Sequence, residues 1–136
     1  MVAIGKELPT VTNAITQAKI DRYAAASGDF NPIHVDPEFA ATTQFGGTIA
    51  HGMMVAAAIS QSMTELFNKD WFDSGKLKIR FKVPVRPGDL ISTFGQVKNI
   101  RELGRSQEVV CAVGVCKQDG EIAIVGEAAV LVPYTA

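Results

Sequence analysis

Polar and hydrophobic residues alternate without a break from Lys76 to Val83. Leu77, Ile79, Phe81 and Val83 fall on one side, and Lys76, Lys78, Arg80 and Lys82 on the other. A period of two sets one face against a core and the other in water, which predicts a half-buried antiparallel strand. Pro87-Gly88-Asp89 reads as a turn. Leu90 to Arg101, Ser106 to Lys117 and Glu121 to Val132 follow as strands, parted by Gly104 and by the hairpin signal Asp119-Gly120. Near the start of the chain, Thr10 to Thr16 alternates weakly and suits one more strand.

The stretch between changes period. A helix opens at Thr16 or Gln17 and runs through Ala26, with Ile20, Tyr23 and Ala24 at helical spacing and Gly28 as its stop. Asn31-Pro32 predicts a turn in which Pro32 keeps a second helix from forming at once. Asp36-Pro37 has the form of an N-cap followed by proline, and starts a short helix to about Gln44, broken by Gly46-Gly47. A long helix then spans about Ala50 to Asn68. Its apolar residues, Met53 to Ile59 and Met63, go round the whole cylinder, so the fold is expected to wrap it on all sides. One strand, helices, then four strands predict an α+β fold, a sheet curled round one buried helix.

The 136 residues fit a single domain, 1–136, large enough to bury a core. A net charge of −1 gives no electrostatic case for nucleic acid or an anionic membrane as partner. The most apolar segment, Thr48 to Met63, is short for a membrane span and carries His51, Ser60, Gln61 and Ser62, so a core helix is expected instead. The opening M-V-A-I-G-K-E-L-P has no signal-peptide pattern, and Pro133-Tyr134-Thr135-Ala136 carries no sorting or lipidation signal; a cytoplasmic protein is expected. Cys111 and Cys116 sit at odd spacing in one predicted strand and therefore point to opposite faces. They read as small buried hydrophobes rather than a disulfide or metal pair.

Two short motifs carry chemistry. Ser27 to His34 reads S-G-D-F-N-P-I-H, and Ile49 to Met53 reads I-A-H-G-M. Alone, an aspartate in a turn reads as a cap. Here Asp29 stands close to an imidazole, His34, with both in loop backbone free to converge, and Ser27 and Asn31 able to brace the turn through local hydrogen bonds. Gly52 begins the long helix, where N–H groups are free and the potential is positive. A carboxylate base, a ring that accepts and donates protons near neutrality, and a bare backbone N–H are the parts needed to add water across a polarised double bond. His51 reads as a structural residue at the helix start. Two histidines without a carboxylate–cysteine cluster predict no metal site. Gly46-Gly47 lacks the preceding strand and later spacing of a nucleotide-binding loop.

The residues Y-A-A-A-S-G-D-F-N-P-I-H at Tyr23 to His34, Phe45, I-A-H-G-M and F-K-V-P-V-R-P-G-D at Phe81 to Asp89 resemble the MaoC-like (R)-specific enoyl-CoA hydratases. That resemblance implies the hotdog fold: an antiparallel five-stranded sheet wrapped round a long central helix, with short overlaying helices. It implies reversible hydration of a trans-2-enoyl-CoA to the (3R)-3-hydroxyacyl-CoA, with Asp29 and His34 as the catalytic pair and Gly52 as the oxyanion donor. Coenzyme A belongs to the substrate, and no cofactor is expected. A homodimer joined through its sheets is implied, with sites near the interface, and an acyl-carrier protein is a second potential carrier of the substrate.

Further along the long helix, the face of Gly52 continues through Ala56, Ser60 and Met63, which are expected to line an acyl tunnel. The basic row ending at Lys82 reads as a solvated face; Lys82 and Arg86 are alternatively candidates for the phosphates of coenzyme A. Two other functions stay open: a hotdog thioesterase, which aims water at carbon 1, and a silent acyl-CoA-binding module. Polyester-precursor supply, β-oxidation and fatty-acid synthesis are equally open as pathways.

Overall fold

A computed structural model describes residues 2–134. Met1, Thr135 and Ala136, which the single-domain expectation includes, lie outside the described residues. The elements in chain order are β1 (Thr12–Ala14), α1 (Gln17–Ser27), α2 (Pro32–Val35), α3 (Pro37–Ala41), α4 (Gly52–Phe67), α5 (Lys69–Ser74), β2 (Lys76–Phe81), β3 (Leu90–Leu103), β4 (Ser106–Lys117) and β5 (Ile122–Pro133).

The strands form one antiparallel sheet in the order β1-β3-β4-β5-β2. The three long strands are consecutive hairpins at the centre. β1 and β2 flank them because α4 and α5 carry the chain from one edge of the sheet to the other. The sheet curls round α4, the hotdog arrangement. Ile59 and Met63 of α4 are 1% and 0% exposed, packed in one core with Ile91, Val97, Val109, Cys111, Val115, Ala128 and Val130 of the sheet. Fully burying side chains of this size contributes about 1.5–3 kcal/mol each. Ser62, also in this helix, satisfies its hydroxyl by donating to the carbonyl of Pro9 at 2.6 Å.

Several expectations need correction. α4 is not covered on every side: Met53 is 62% exposed, and Ala57 and Gln61 continue the open stripe. A helix lying in a curved sheet is covered by that sheet on one side only. Pro32 does not postpone a helix; it starts one. Asn31 caps α2 by accepting the N–H of Ile33 at 3.1 Å, with Pro32 at the first helical position. His34 is thus helical, not in loop backbone. α3 ends at Ala41 rather than near Gln44, and α5 follows α4 after a kink at Asn68, whose φ is 52°. Phe81 ends β2 and is 55% exposed, unlike its half-buried partners Leu77 and Ile79. Cys111 is buried, and burial pushes its thiol up to about 11. Cys116, on the outer face, is only half-buried.

One irregularity shapes the site. Val115 pairs with Ile124, but Cys116 pairs with Ile122, so Ala123 is an extra residue in β5. This bulge turns two successive residues, Ala123 and Ile124, into the interior, each 1% exposed. The Ala123 carbonyl accepts the N–H of Lys82 at 2.8 Å, holding the chain just after β2.

Candidate active site

α1 ends in a left-handed Gly28, φ 78°, whose N–H returns to the carbonyl of Ala24. A side chain would be strained there, and the reversal throws the next residue away from the helix. Asp29 then occupies a turn in which nearly all of its polar groups are engaged. Its N–H donates to Ser27 Oγ at 3.2 Å, and its Oδ1 accepts the N–H of Asn31 at 3.2 Å. Its carbonyl accepts from His51 Nε2 at 2.9 Å. Oδ2 is left for other work.

That oxygen lies 4.0 Å from Nε2 of His34. The separation is too long for a direct hydrogen bond and short enough for one water to bridge both atoms. The other ring nitrogen, Nδ1, is 2.8 Å from the carbonyl of Ile49. A carbonyl only accepts, so Nδ1 carries the hydrogen, and the neutral ring presents a lone pair at Nε2. The His34 side chain is 12% exposed and that of Asp29 is 53% exposed.

Two residues that the sequence did not single out hold this arrangement. Gln17, in the first turn of α1, donates from Nε2 to the His34 carbonyl at 2.8 Å and to Asp21, and its Oε1 accepts from Thr48 Oγ1 at 2.7 Å. Thr48 is itself buried. The pairs are 17 and 31 residues apart, and no local pattern announces them.

A cavity of about 550 Å³ opens beside His34. Its walls come from Phe45, Ile49, Ala50, Gly52, Met53 and Val55, from the 81–85 segment, and from Ala123 and Ile124 at the bulge. The lining is mostly apolar, suited to an acyl chain. Gly52 is the first residue of α4, and among the described residues no acceptor takes its N–H. The Phe81 ring lies against Gly52: a Cβ there would come 2.7 Å from Phe81 Cε1.

The predicted residues thus divide. Asp29, His34 and Gly52 come together, with Ser27 and Asn31 bracing the turn. Lys82 lies on the cavity wall, whereas Arg86 does not; its guanidinium is beside Gly47, and its N–H donates to Asp89 Oδ2. The open cavity stops at the first turn of α4. Ala56 and Met63 are shut in the core at 2% and 0% exposure, and Ser60 is half-buried off the cavity. The reason is depth: the cavity meets only the start of the helix, at Gly52, Met53 and Val55, and Ala56 and Met63 beyond it are packed into the core.

His51 also joins the group. Asp29, His34 and His51 each place a potential metal ligand within 4.8 Å of the others, a convergence that the sequence reading did not foresee. The 4.0 Å between Asp29 Oδ2 and His34 Nε2 exceeds the roughly 3.3 Å between neighbouring ligands of a tetrahedral zinc shell with bonds of 2.0–2.1 Å. Two of the four ring nitrogens are already committed to backbone carbonyls. The geometry as it stands favours water over a metal ion between Asp29 and His34.

No helix among the described residues is long and apolar enough to cross a membrane. The family model described as MaoC like domain matches residues 2–118. An (R)-specific enoyl-CoA hydratase of Aeromonas caviae is 37% identical over 117 residues, 85% of each chain. A 3-hydroxybutyryl-CoA dehydratase of Methylorubrum extorquens is 32% identical over 119 residues, covering 88% of this chain and 74% of the relative. The solved (R)-hydratase from A. caviae involved in PHA biosynthesis superposes with a TM-score of 0.85 at 32% identity, over 97% of this chain and 98% of that one. With its fold, its facing Asp29 and His34 and its matched sequence, the chain belongs to the MaoC-like domain family.

Proposed function

We infer that the protein is a cytoplasmic (R)-specific enoyl-CoA hydratase, a hydro-lyase that reversibly adds water to a trans-2-enoyl-CoA. The observation that carries this reading is the 4.0 Å gap between two acceptors, Asp29 Oδ2 and His34 Nε2, at the edge of an apolar cavity. A water there donates one hydrogen to each atom. The thioester draws electrons from carbon 3 of the substrate, so that carbon is the electrophile. The pair removes a proton from the water as its oxygen bonds to carbon 3. Charge moves through the double bond onto the thioester oxygen, where the free N–H of Gly52 and the N-terminus of α4 stabilise it. The proton held by the pair then returns to carbon 2. Chain, substrate and water suffice, with no further cofactor.

The acyl chain occupies the cavity between Ile49, Val55 and Ile124. Lys82, on the wall after β2, is placed to meet a phosphate of coenzyme A. Arg86 would have to leave Gly47 to do so. The enzyme acts as a homodimer in this reading. β2 pairs only with β5, so its other edge is free among the described residues, and an unpaired edge is hazardous alone. Met53 and Phe81 on the cavity wall and Phe30 next to Asp29 are 62%, 55% and 61% exposed, apolar surface that a partner would cover.

Crotonyl-CoA tests the reading directly. Loss of enoyl absorbance without free thiol, giving the (3R) product by chiral analysis, is expected. Release of free thiol would instead make the protein a thioesterase, and no turnover would make it a binding module.

A further inference from the structure

We propose that His51 is a positioning residue for hydration, acting through the main chain of Asp29. The inference rests on the assignment of Asp29 and His34 as the reacting pair.

His51 is 3% exposed, and it meets both members of the reacting pair and the start of α4. Its Nε2 lies 2.9 Å from the Asp29 carbonyl, so Nε2 carries the hydrogen and donates it. Its ring stacks on His34 with centroids 3.9 Å apart and planes at 26°. Tyr23 of α1 packs on it at 4.7 Å and 56°. Its main chain caps α4, its carbonyl accepting the N–H groups of Met54 and Val55, and the next residue is Gly52.

The second ring nitrogen gives the argument its direction. Nδ1 is buried and is the one buried side-chain nitrogen or oxygen without a hydrogen-bond partner among the described residues. In the neutral tautomer set by Nε2–H, that atom is a bare lone pair cut off from water, an uncompensated cost. An apolar side chain of similar shape would avoid it. Nothing at Nδ1 offsets that cost, so what the ring contributes lies at its other edge and its face, which meet Asp29 and His34. One residue thereby links the water site to the oxyanion donor: its ring holds the Asp29 carbonyl, and its main chain leads directly into Gly52. The engaged N–H, carbonyl and Oδ1 of Asp29 leave Oδ2 a single direction to point.

The test compares His51→Phe, which keeps a stacking ring without the donor, with His51→Gln, whose side-chain N–H₂ reaches the same carbonyl. Crotonyl-CoA kinetics, thermal unfolding and an imidazole ¹⁵N spectrum of the wild-type dimer are recorded. His51→Phe is expected to lose kcat about 10- to 100-fold, the cost of a displacement near 1 Å, with KM little changed. His51→Gln is expected to recover most of that loss. The spectrum should show His51 protonated at Nε2 and bare at Nδ1, a result that needs no variant to fold. Wild-type kcat in a folded His51→Phe, equal losses in both folded variants, a loss confined to KM, or a proton on Nδ1 with Nε2 bare would each overturn the proposal. Asp29→Asn in the same assay separates the two levels. If it retains wild-type turnover, the reacting pair itself is misassigned. If it is inactive while His51→Phe is normal, only the role of His51 fails.

Discussion

Asp29 and His34 face each other across 4.0 Å with an acceptor on each side, Oδ2 of the carboxylate and Nε2 of the ring. Each is fixed from behind by backbone: Asn31 N–H on Oδ1, and the Ile49 carbonyl on Nδ1. The gap is therefore a built feature of a turn and a short helix, not the resting place of two free side chains.

Replacing Asp29 by Asn keeps the shape and the acceptor to Asn31 but removes the base. Hydration of crotonyl-CoA should fall about 100- to 10,000-fold, as general-base losses do, with an unchanged unfolding temperature. A variant that turns over normally would remove Asp29 from the chemistry.

Gly52 gives a matched pair of substitutions. Ala keeps the N–H, and the nearest atoms to its methyl belong to one edge of the exposed Phe81 ring, which can swing aside. Gly52→Ala should fold normally and shift KM more than kcat, because Phe81 forms part of the cavity wall. Proline also suits the position, since it is the first helical residue and His51 before it has an extended ψ of 134°. Gly52→Pro should therefore fold yet lose kcat by about 100- to 1,000-fold, the usual cost of an oxyanion donor. Equal kcat in the two folded variants would exclude the N–H from catalysis.

A buried ion pair away from the site sets acid stability. Lys117 Nζ lies 2.9 Å from Asp89 Oδ2, with their side chains 11% and 12% exposed, and Gln118 donates to Oδ1. Burial alone would raise the carboxyl of Asp89. Hydrogen bonds from Gln118, the Arg86 N–H and Lys117, with the Lys117 charge, more than offset this and hold it below its ordinary value. A depressed carboxylate stabilises the fold fully above its unfolded value of about 3.9, and that contribution is lost as pH falls through the lower folded value. Lys117→Met should cost about 1–3 kcal/mol near pH 7 by removing a charged hydrogen bond, while Gln118 and the Arg86 N–H still hold the carboxylate. In urea titrations the gap from wild type should narrow in acid, once Asp89 is neutral in both. A gap independent of pH would show that packing, not charge, carries the effect.

Chelation supplies a simpler check. Enzyme treated with EDTA and desalted should keep its full rate, because the pair needs only water. Activity lost on chelation and restored by zinc would move Asp29, His34 and His51 from a water site to a metal site.

The alternation from Lys76 to Ile79 and the all-strand C-terminal half were legible, because a period of two survives any context. The bulge at Ala123 was not: one extra residue in an apolar run leaves no mark on composition. Pro32 was misread although Asn31-Pro32 has the same form as Asp36-Pro37, which did predict a helix; a helix of four residues is too short to show its period. Of the site, Asp29, His34 and Gly52 were legible because they lie within two short motifs. The partners of His51 and Gln17 were not, because those contacts are made across 17 to 31 residues by the fold alone.

The placement of Gln17 has a thermal consequence. Its amide joins the opening turn of α1 to the carbonyl of His34, and helix ends open at lower free energy than core strands. Warming should loosen the imidazole's footing before the sheet gives way, so catalysis is expected to fade several degrees below the calorimetric transition. In this enzyme the chemistry and the curved sheet beneath it would then have separate melting points.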